Sequence, residues 1–214
     1  MDFDLIIFDC DGVLVDSETL ANALLRDALA EHGLEMTVEE VVATYVGRSM
    51  AAVVTISEEM LGKKLPADFL DQLQVRTFTL FDEKLQAVPG VEDVLKELQK
   101  RSIDFCIASS GSFEKMDKTL GKTGLGKYFG NRIYNSSQVK RGKPYPDLYL
   151  YAADQMQVEP ARCLVIEDSL PGVQGGVAAG MEVMAYSMRG EDQSLKKAGG
   201  LVFNDMQSVL KHIS

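Results

Sequence analysis

The stretch Leu5-Ile6-Ile7-Phe8-Asp9-Cys10-Asp11-Gly12, near the start of the 214-residue chain, decides the fold. Its first four residues form an unbroken apolar run, which is typical of a strand buried on both faces, as in a parallel sheet. Asp9 and Asp11 follow where that strand ends, and Gly12 allows a tight turn there. The stretch therefore predicts a buried strand that carries two carboxylates to one edge of a sheet.

Two later stretches repeat this pattern of an apolar run followed by a polar residue. They are 105–108, which leads into Ser109, and 163–166, which leads into Glu167 and Asp168. Weaker strand patterns occur at 132–134, 182–186 and 201–203, and helical spacing follows Pro89-Gly90, Pro146 and Pro171. Strands alternating with helices predict an α/β fold, a doubly wound parallel sheet with a Rossmann-like core.

Residues 17–86 break the alternation, because they read as one helix after another. Thr37 and Glu40 have the spacing of a capping box before the second of these helices, and Pro66 is expected to open a third. We therefore predict an α/β catalytic core made of 1–16 and 87–214, with an inserted α-helical cap at 17–86.

Composition and charge exclude several classes of function. The formal net charge is −10, and the sequence contains no basic patch that could bind phosphates of a nucleic acid. Nucleic acid is therefore not an expected partner. No run approaches the roughly 18 apolar residues that span a bilayer, so we expect no membrane partner. The acidic N-terminus does not resemble a signal peptide, so we expect a cytoplasmic location. We expect a monomer, with a weak dimer as the alternative.

The three cysteines, Cys10, Cys106 and Cys163, each lie in or beside an apolar run. Buried reduced thiols are the favoured interpretation. A disulfide or a metal site is the alternative.

The sheet prediction brings distant polar residues together. In an open parallel sheet, ligands bind beyond the carboxyl ends of the strands. That edge would receive Asp9, Ser109 and the Glu167-Asp168 pair, and Lys143 would join them from the loop Gly142–Pro146. Lysine can bind a phosphate oxygen as a point charge, and serine can donate a hydrogen bond to another.

Acidic residues crowd the same predicted edge: Asp9, Asp11, Glu167 and Asp168. Clustered carboxylates repel one another and raise one another's pKa values, and a divalent cation removes that difficulty. Oxygen ligands without His or Cys suit Mg²⁺. Such a set can transfer a phosphoryl group, because aspartate is a competent covalent nucleophile and a second aspartate can act as acid and base.

The same residues carry a resemblance to a known family. The stretch from Phe8 to Glu18 resembles the first motif of the haloacid dehalogenase (HAD) superfamily. Ser109 resembles its second motif, Lys143 in Gly-Lys-Pro-Tyr-Pro-Asp its third, and 166–169 its fourth. The resemblance spans nearly the whole chain, in the expected order and spacing, and implies a phosphoric monoester hydrolase of the HAD type.

The resemblance also implies roles for individual residues. Asp9 would be the nucleophile, forming an aspartyl-phosphate, and Asp11 the acid and base. Magnesium would lie among Asp9, Asp168, Glu167 and the backbone carbonyl of Asp11. Ser109 and Lys143 would hold the phosphate, with further substrate contacts from the backbone at Ser110 and Gly111.

The inserted helices are similar to the cap of the β-phosphoglucomutase-like branch. Gly47-Arg48-Ser49 of this chain resembles the substrate loop of that cap. In that branch the mutase has a histidine where this chain has Ala21. The first motif and the stretch 142–154 resemble sugar phosphatases and 6-phosphogluconate phosphatases instead. The resemblance therefore implies a small phosphorylated metabolite as substrate, a sugar or sugar-acid phosphate.

Alternatives remain at this point. A β-phosphoglucomutase-type sugar phosphomutase is the enzymatic alternative, and a non-catalytic, phosphate-responsive binding module is another. Residue by residue, Asp9 and Asp11 could be solvated carboxylates of a turn, and Glu167-Asp168 could cap a helix. Lys143 and Arg48 could be ordinary surface cations.

Overall fold

The computed structural model describes residues 3–46, 48–188 and 190–213. In these residues the strands are β1 (Leu5–Phe8), β2 (Asp104–Ser109), β3 (Ile133–Asn135), β4 (Cys163–Glu167), β5 (Glu182–Tyr186) and β6 (Leu201–Phe203). The helices are α1 (Ser17–Ala30), α2 (Val38–Tyr45), α3 (Met50–Leu61), α4 (Phe69–Lys84), α5 (Val91–Lys100), α6 (Phe113–Thr123), α7 (Gly126–Phe129), α8 (Asp147–Gln155), α9 (Leu170–Ala178), α10 (Gln193–Lys197) and α11 (Gln207–His212).

The described strands form one parallel sheet in the order β3-β2-β1-β4-β5-β6. This order confirms the predicted doubly wound, Rossmann-like α/β fold. The strand order reverses between β1 and β4, which are paired from Leu5–Cys163 to Phe8–Ile166. The Asp9 amide donates to Ile166 O at 2.9 Å, one residue beyond the strand. Asp9 therefore leaves the sheet at the switch point, where open α/β sheets bind ligands.

The central strand is buried on both faces, as its sequence predicts. All four residues of β1 are fully buried. On one face Phe8, Phe105 and Phe129 meet edge to face, with ring centroids 5.4 to 6.5 Å apart. On the other face α9 lies close to the sheet, because a Cβ at Gly176 would lie 2.7 Å from Val183 Cγ2. A glycine at that position allows the close approach.

The chain divides into two compact units: residues 1–16 with 86–214, and residues 17–85. The first contains the sheet, and the second contains α1 to α4. Gln86, which the sequence analysis placed with the inserted helices, belongs to the first unit, because its carbonyl accepts from the Asp16 amide at 3.0 Å. Leu14 O likewise accepts from the Val88 amide at 3.0 Å, which ties the returning chain to the turn after β1.

The inserted unit has its own apolar core, which includes Leu29 and Val41. The predicted capping box is present, because Thr37 and Glu40 exchange side-chain to backbone hydrogen bonds at the start of α2. The helix predicted after that box is two helices, α2 and α3. The break between them has a physical cause, since the Ser49 hydroxyl caps a new N-terminus by accepting from Ala52 N at 3.2 Å.

The three cysteines are buried free thiols, as predicted. Among residues 3–46, 48–188 and 190–213, no helix has the length and apolar character needed to cross a lipid bilayer. Cytoplasmic location and oligomeric state stay predictions.

Candidate active site

Asp9 and Asp11 lie in a tight turn directly after β1. The turn is closed by backbone hydrogen bonds, from Gly12 N to Val15 O at 2.9 Å and from Leu14 N to Cys10 O at 2.9 Å. Gly12 has φ +77°, a left-handed conformation that favours glycine. The sequence predicted this turn from the glycine, and the turn places both carboxylates at the carboxyl edge of the sheet.

Lys143 joins Asp9 to Glu167 across the switch point. Its Nζ lies 2.5 Å from Asp9 Oδ1 and 2.6 Å from Glu167 Oε1. The side chains of Lys143 and Glu167 are 5% and 0% exposed, so the ion pairs are shielded from solvent. Two loops more than 130 positions apart in the sequence therefore meet at one buried ammonium group, as the sequence predicted for Asp9 and Lys143.

Burial and charge shift the ionisation of all three groups. Burial raises the pKa of Asp9 to about 7, against the opposing effect of Lys143 and together with repulsion from Glu167. Burial alone would lower the pKa of Lys143, but the two carboxylates outweigh it and hold that pKa well above its ordinary value. For Glu167 the penalty of burial is outweighed by Lys143 and by hydrogen bonds, so its pKa is lowered. Two carboxylates therefore share one ammonium group, and of the two it is Asp9 whose pKa is raised.

Glu167 is held by hydrogen bonds on both oxygens. Oε1 accepts from Lys143 and from the Tyr149 hydroxyl at 2.9 Å. Oε2 accepts from Asp168 N at 2.9 Å, from Ser169 N at 2.8 Å and from the Ser169 hydroxyl at 2.9 Å. A Cβ at Gly172 would lie 1.8 Å from Oε1, so the glycine makes room for the carboxylate at the start of α9. Glu167 acts here as the buried partner of Lys143.

The loop after β2 contains the predicted phosphate contacts. Ser109 is buried, and its hydroxyl accepts from Gly111 N at 3.1 Å. Asn135, at the end of the neighbouring strand β3, donates from Nδ2 to Gly111 O at 3.1 Å. Ser110 is exposed. The loop is thereby fixed from both sides, with a serine hydroxyl and backbone amides at the same edge as Asp9.

Asp11 lies beside that loop and is paired with a cation. Its Oδ2 is 2.8 Å from Lys115 Nζ. A Cβ built at Gly111 would lie 3.5 Å from this Asp11 oxygen and 3.4 Å from Ser109 Oγ. The structure therefore brings Asp11 and the loop of Ser109 together.

Asp168 lies against the turn after β1, since a Cβ at Gly12 would lie 1.9 Å from Asp168 Oδ2. Within the described ranges, no group of three or more His, Cys, Asp or Glu side chains is arranged to hold a metal ion. The oxygens of Glu167, one of the four expected ligands, are both taken by hydrogen bonds. Metal binding by Asp9, Asp11, Glu167 and Asp168 stays a prediction.

The predicted substrate loop of the cap lies in the other unit. Arg48 is exposed, and its Nε donates to Thr44 O at 2.7 Å within that unit. Gly47 lies outside the described residues. The roles of Gly47 and Arg48 stay predictions.

Sequence reasoning missed three residues that the structure places at this edge: Tyr149, Lys115 and Asn135. The helical spacing after Pro146 indicated a buried face but did not distinguish Tyr149 from its apolar neighbours. The position of Asn135 directly after a predicted strand, level with Ser109, was an available signal.

Comparison with known proteins agrees with this geometry. The sequence pattern of the haloacid dehalogenase-like hydrolases matches residues 3–180. This chain belongs to that family. As a HAD hydrolase it has the expected motifs on one sheet edge, at the ends of β1, β2 and β4 and in the loop before α8.

Several relatives of this HAD hydrolase are named as phosphatases. It is 30% identical over 184 residues to 6-phosphogluconate phosphatase of Escherichia coli (strain K12), covering 86% of this chain and 82% of the relative. It is 31% identical to hexitol phosphatase A of the same organism, covering 95% and 91%. A crystal structure of a HAD family hydrolase from Deinococcus radiodurans R1, with bound phosphate and sodium, superimposes with a TM-score of 0.86 at 32% identity, covering 97% of this chain and 93% of that chain.

Proposed function

We propose that this chain is a magnesium-dependent phosphatase that hydrolyses a small phosphorylated sugar or sugar acid through an aspartyl-phosphate on Asp9. The observation that carries the proposal is the buried Lys143, held between Asp9 and Glu167 at the switch point of the sheet. An ammonium group in this place can bind a phosphate oxygen while Asp9 faces the phosphorus. The names of the two Escherichia coli relatives support a sugar or sugar-acid phosphate as the substrate.

The donor set fits magnesium. Asp9 is buried beside a second carboxylate, Glu167, and burial is the main cause of its raised pKa. A divalent cation bound there would favour the ionised form of Asp9. Asp168 presents a second carboxylate against the same turn. Oxygen ligands of this kind suit Mg²⁺, which binds one or two carboxylates together with phosphate. Asp9, Asp168 and the Asp11 carbonyl would hold the ion, and when bound it would neutralise charge on the transferring phosphoryl group.

The residues of this chain then divide the chemistry into two steps. Lys143 and the loop of Ser109 and Gly111 orient the phosphate. A carboxylate oxygen of Asp9 forms a bond to phosphorus while the bond to the leaving oxygen breaks, and Asp11 gives that oxygen a proton. Asp11 next takes a proton from water, whose oxygen bonds to phosphorus and displaces Asp9, so that inorganic phosphate is released. A covalent intermediate replaces one difficult step by two easier ones.

The test is phosphate release by purified protein with Mg²⁺ from 6-phosphogluconate, hexitol phosphates, glucose 6-phosphate, phosphoglycolate and a nucleotide. We expect one of the sugar or sugar-acid esters to be preferred, and Asp9→Asn to abolish turnover while the variant still unfolds cooperatively on heating. Chelation with EDTA should stop turnover, and Mg²⁺ should restore it. The proposal fails if no ester releases phosphate, or if Asp9→Asn retains the wild-type rate.

The same preparation separates the alternatives. β-Glucose 1-phosphate with a bisphosphate primer would be isomerised without phosphate release by a mutase. Ala21, which stands where the mutase has a histidine, favours hydrolysis instead. A non-catalytic phosphate-responsive module would bind phosphate and turn over no ester, but the presence of Asp9, Asp11 and Lys143 together favours an enzyme.

A further inference from the structure

Lys115 occupies a position that helix stability does not explain. Helix α6 begins at Phe113, and the Ser112 hydroxyl caps it by accepting from Lys115 N at 3.2 Å. Lys115 is therefore in the first turn of α6. That end of a helix carries a partial positive charge, so an acidic residue is favoured there and a lysine is unfavourable.

Asp11 accounts for the lysine. The ammonium group of Lys115 lies 2.8 Å from Asp11 Oδ2, and the two side chains are 31% and 22% exposed, so the pair is better shielded than most surface ion pairs. The same oxygen lies beside Gly111 in the phosphate loop. The helix therefore places a cation against the carboxylate that the proposed reaction uses as acid and base.

We infer that Lys115 is a positioning residue for Asp11, an inference that rests on the proposed phosphatase activity. Its ion pair with Oδ2 fixes the orientation of the carboxyl group that transfers the proton. In the first step the proton moves from the Asp11 carboxyl group to the leaving oxygen as the old P–O bond breaks and the Asp9–phosphorus bond forms. The leaving group departs as a neutral alcohol. Lys115 keeps its own protons throughout.

This role has a signature that a structural role lacks. A p-nitrophenolate leaving group is stable as an anion and needs little help from an acid, whereas phenolate needs more. The constant kcat/KM covers the reaction only up to release of the leaving group, so hydrolysis of the phosphoenzyme does not enter it. Loss of a positioned acid should therefore lower kcat/KM more for phenyl phosphate than for p-nitrophenyl phosphate.

The experiment compares these two esters in the full-length protein with Mg²⁺. Lys115→Met should lower kcat/KM for phenyl phosphate by about tenfold or more, a part of the roughly 10²-fold to 10⁴-fold that acid catalysis contributes. For p-nitrophenyl phosphate we expect a decrease of about twofold or less, since little acid catalysis is at stake. Lys115→Arg should restore most of the loss. Lys100→Met, which removes an exposed lysine paired with Glu97 on α5, is the matched control and should change neither constant.

A double variant tests the connection to Asp11. Asp11→Asn alone should show the same dependence on the leaving group, more strongly. Adding Lys115→Met to Asp11→Asn should then change kcat/KM by less than about twofold, because coupled residues are not additive. If Lys115→Met lowers both esters equally, or lowers the double variant as much as the wild type, the inference is wrong and the phosphatase proposal stands. If the wild type hydrolyses neither of these two esters nor any of the phosphate esters named under the proposed function, both proposals fall.

Discussion

Lys143 Nζ lies 2.5 Å from Asp9 Oδ1 inside the protein, at the point where the strand order of the sheet reverses. The same ammonium group contacts Glu167, so one cation serves two buried carboxylates. Such an arrangement is incompletely neutralised without a further cation. That imbalance connects the fold to the proposed chemistry, because magnesium and a phosphate ester would both enter an already charged site.

Removal of the Lys143 charge should destabilise the fold and also abolish the activity. Lys143→Met leaves Asp9 and Glu167 facing each other while buried, and removing one partner of a buried ion pair typically destabilises by about 3–5 kcal/mol. Adding Glu167→Gln should recover part of that stability, because one of the two carboxylates becomes neutral, but no activity. Urea unfolding in EDTA measures both variants, with Lys100→Met as control. A double variant that is less stable than Lys143→Met would contradict the account.

Tyr149 should matter through its hydroxyl. Its OH donates to Glu167 Oε1 at 2.9 Å, and the side chain is fully buried. Tyr149→Phe should lower the free energy of unfolding by about 1.5–3 kcal/mol, the range for hydrogen bonds to charged groups. Tyr151→Phe, on the same helix, loses only a 3.3 Å contact with Gln138 and is the control, with an expected change within about 0.5 kcal/mol. Equal effects of the two variants would refute the role of Tyr149.

A methyl group at Gly12 should displace Asp168. The new Cβ would lie 1.9 Å from Asp168 Oδ2, at a residue with φ +77°. Gly180 has φ +74° and nothing within 4 Å of the corresponding position, so Gly180→Ala reproduces the backbone strain without the collision. Gly12→Ala should raise the Mg²⁺ concentration needed for half-maximal activity by on the order of tenfold or more, as loss of metal-ligand geometry does. Gly180→Ala should leave it unchanged, and a similar rise in both would remove Asp168 from the metal site.

Without metal, stability should depend on pH through Asp9. Its pKa is raised from 3.8 to about 7 by burial, so the folded protein holds a proton that the unfolded chain has lost between these two values. Stability then falls as pH rises through this window, because the folded state binds more protons. Thermal unfolding in EDTA should show the wild type losing stability relative to Asp9→Asn as pH rises from about 4 to about 7. A constant difference between the two would contradict the raised pKa.

Much of the fold was predictable because its signals are local. The strands at 182–186 and 201–203 have the predicted bounds, and the capping box of Thr37 and Glu40 has the expected bonds. Asp9 and Ser109 lie at one edge because the strands that precede them are parallel, whereas the contact of Lys143 with Asp9 depends on the loop before α8. The end of α2 was not predictable in the same way, since the apolar spacing continues across it and only Ser49 marks a new start.

Other parts of the site depend on tertiary contacts that no local pattern contains. A tyrosine on the buried face of a helix reads as core, so the bond from Tyr149 to Glu167 is visible only in three dimensions. A lysine on a helix reads as solvated, although Lys115 pairs with Asp11. The hydrogen bonds that Glu167 accepts on both oxygens are likewise visible only in three dimensions, and its predicted role as a metal ligand stays a prediction.

The proposed mechanism requires that Asp9 becomes phosphorylated. Asp11→Asn mixed with p-nitrophenyl phosphate and Mg²⁺ should accumulate the intermediate, since this ester needs little acid catalysis and the base that activates water is missing. Acid quenching, digestion and mass spectrometry should find one phosphoryl group on the peptide that contains Asp9, and none after Asp9→Asn is added. Turnover of the wild type with no phosphorylated peptide in Asp11→Asn, or with the phosphoryl group on another residue, would contradict the account.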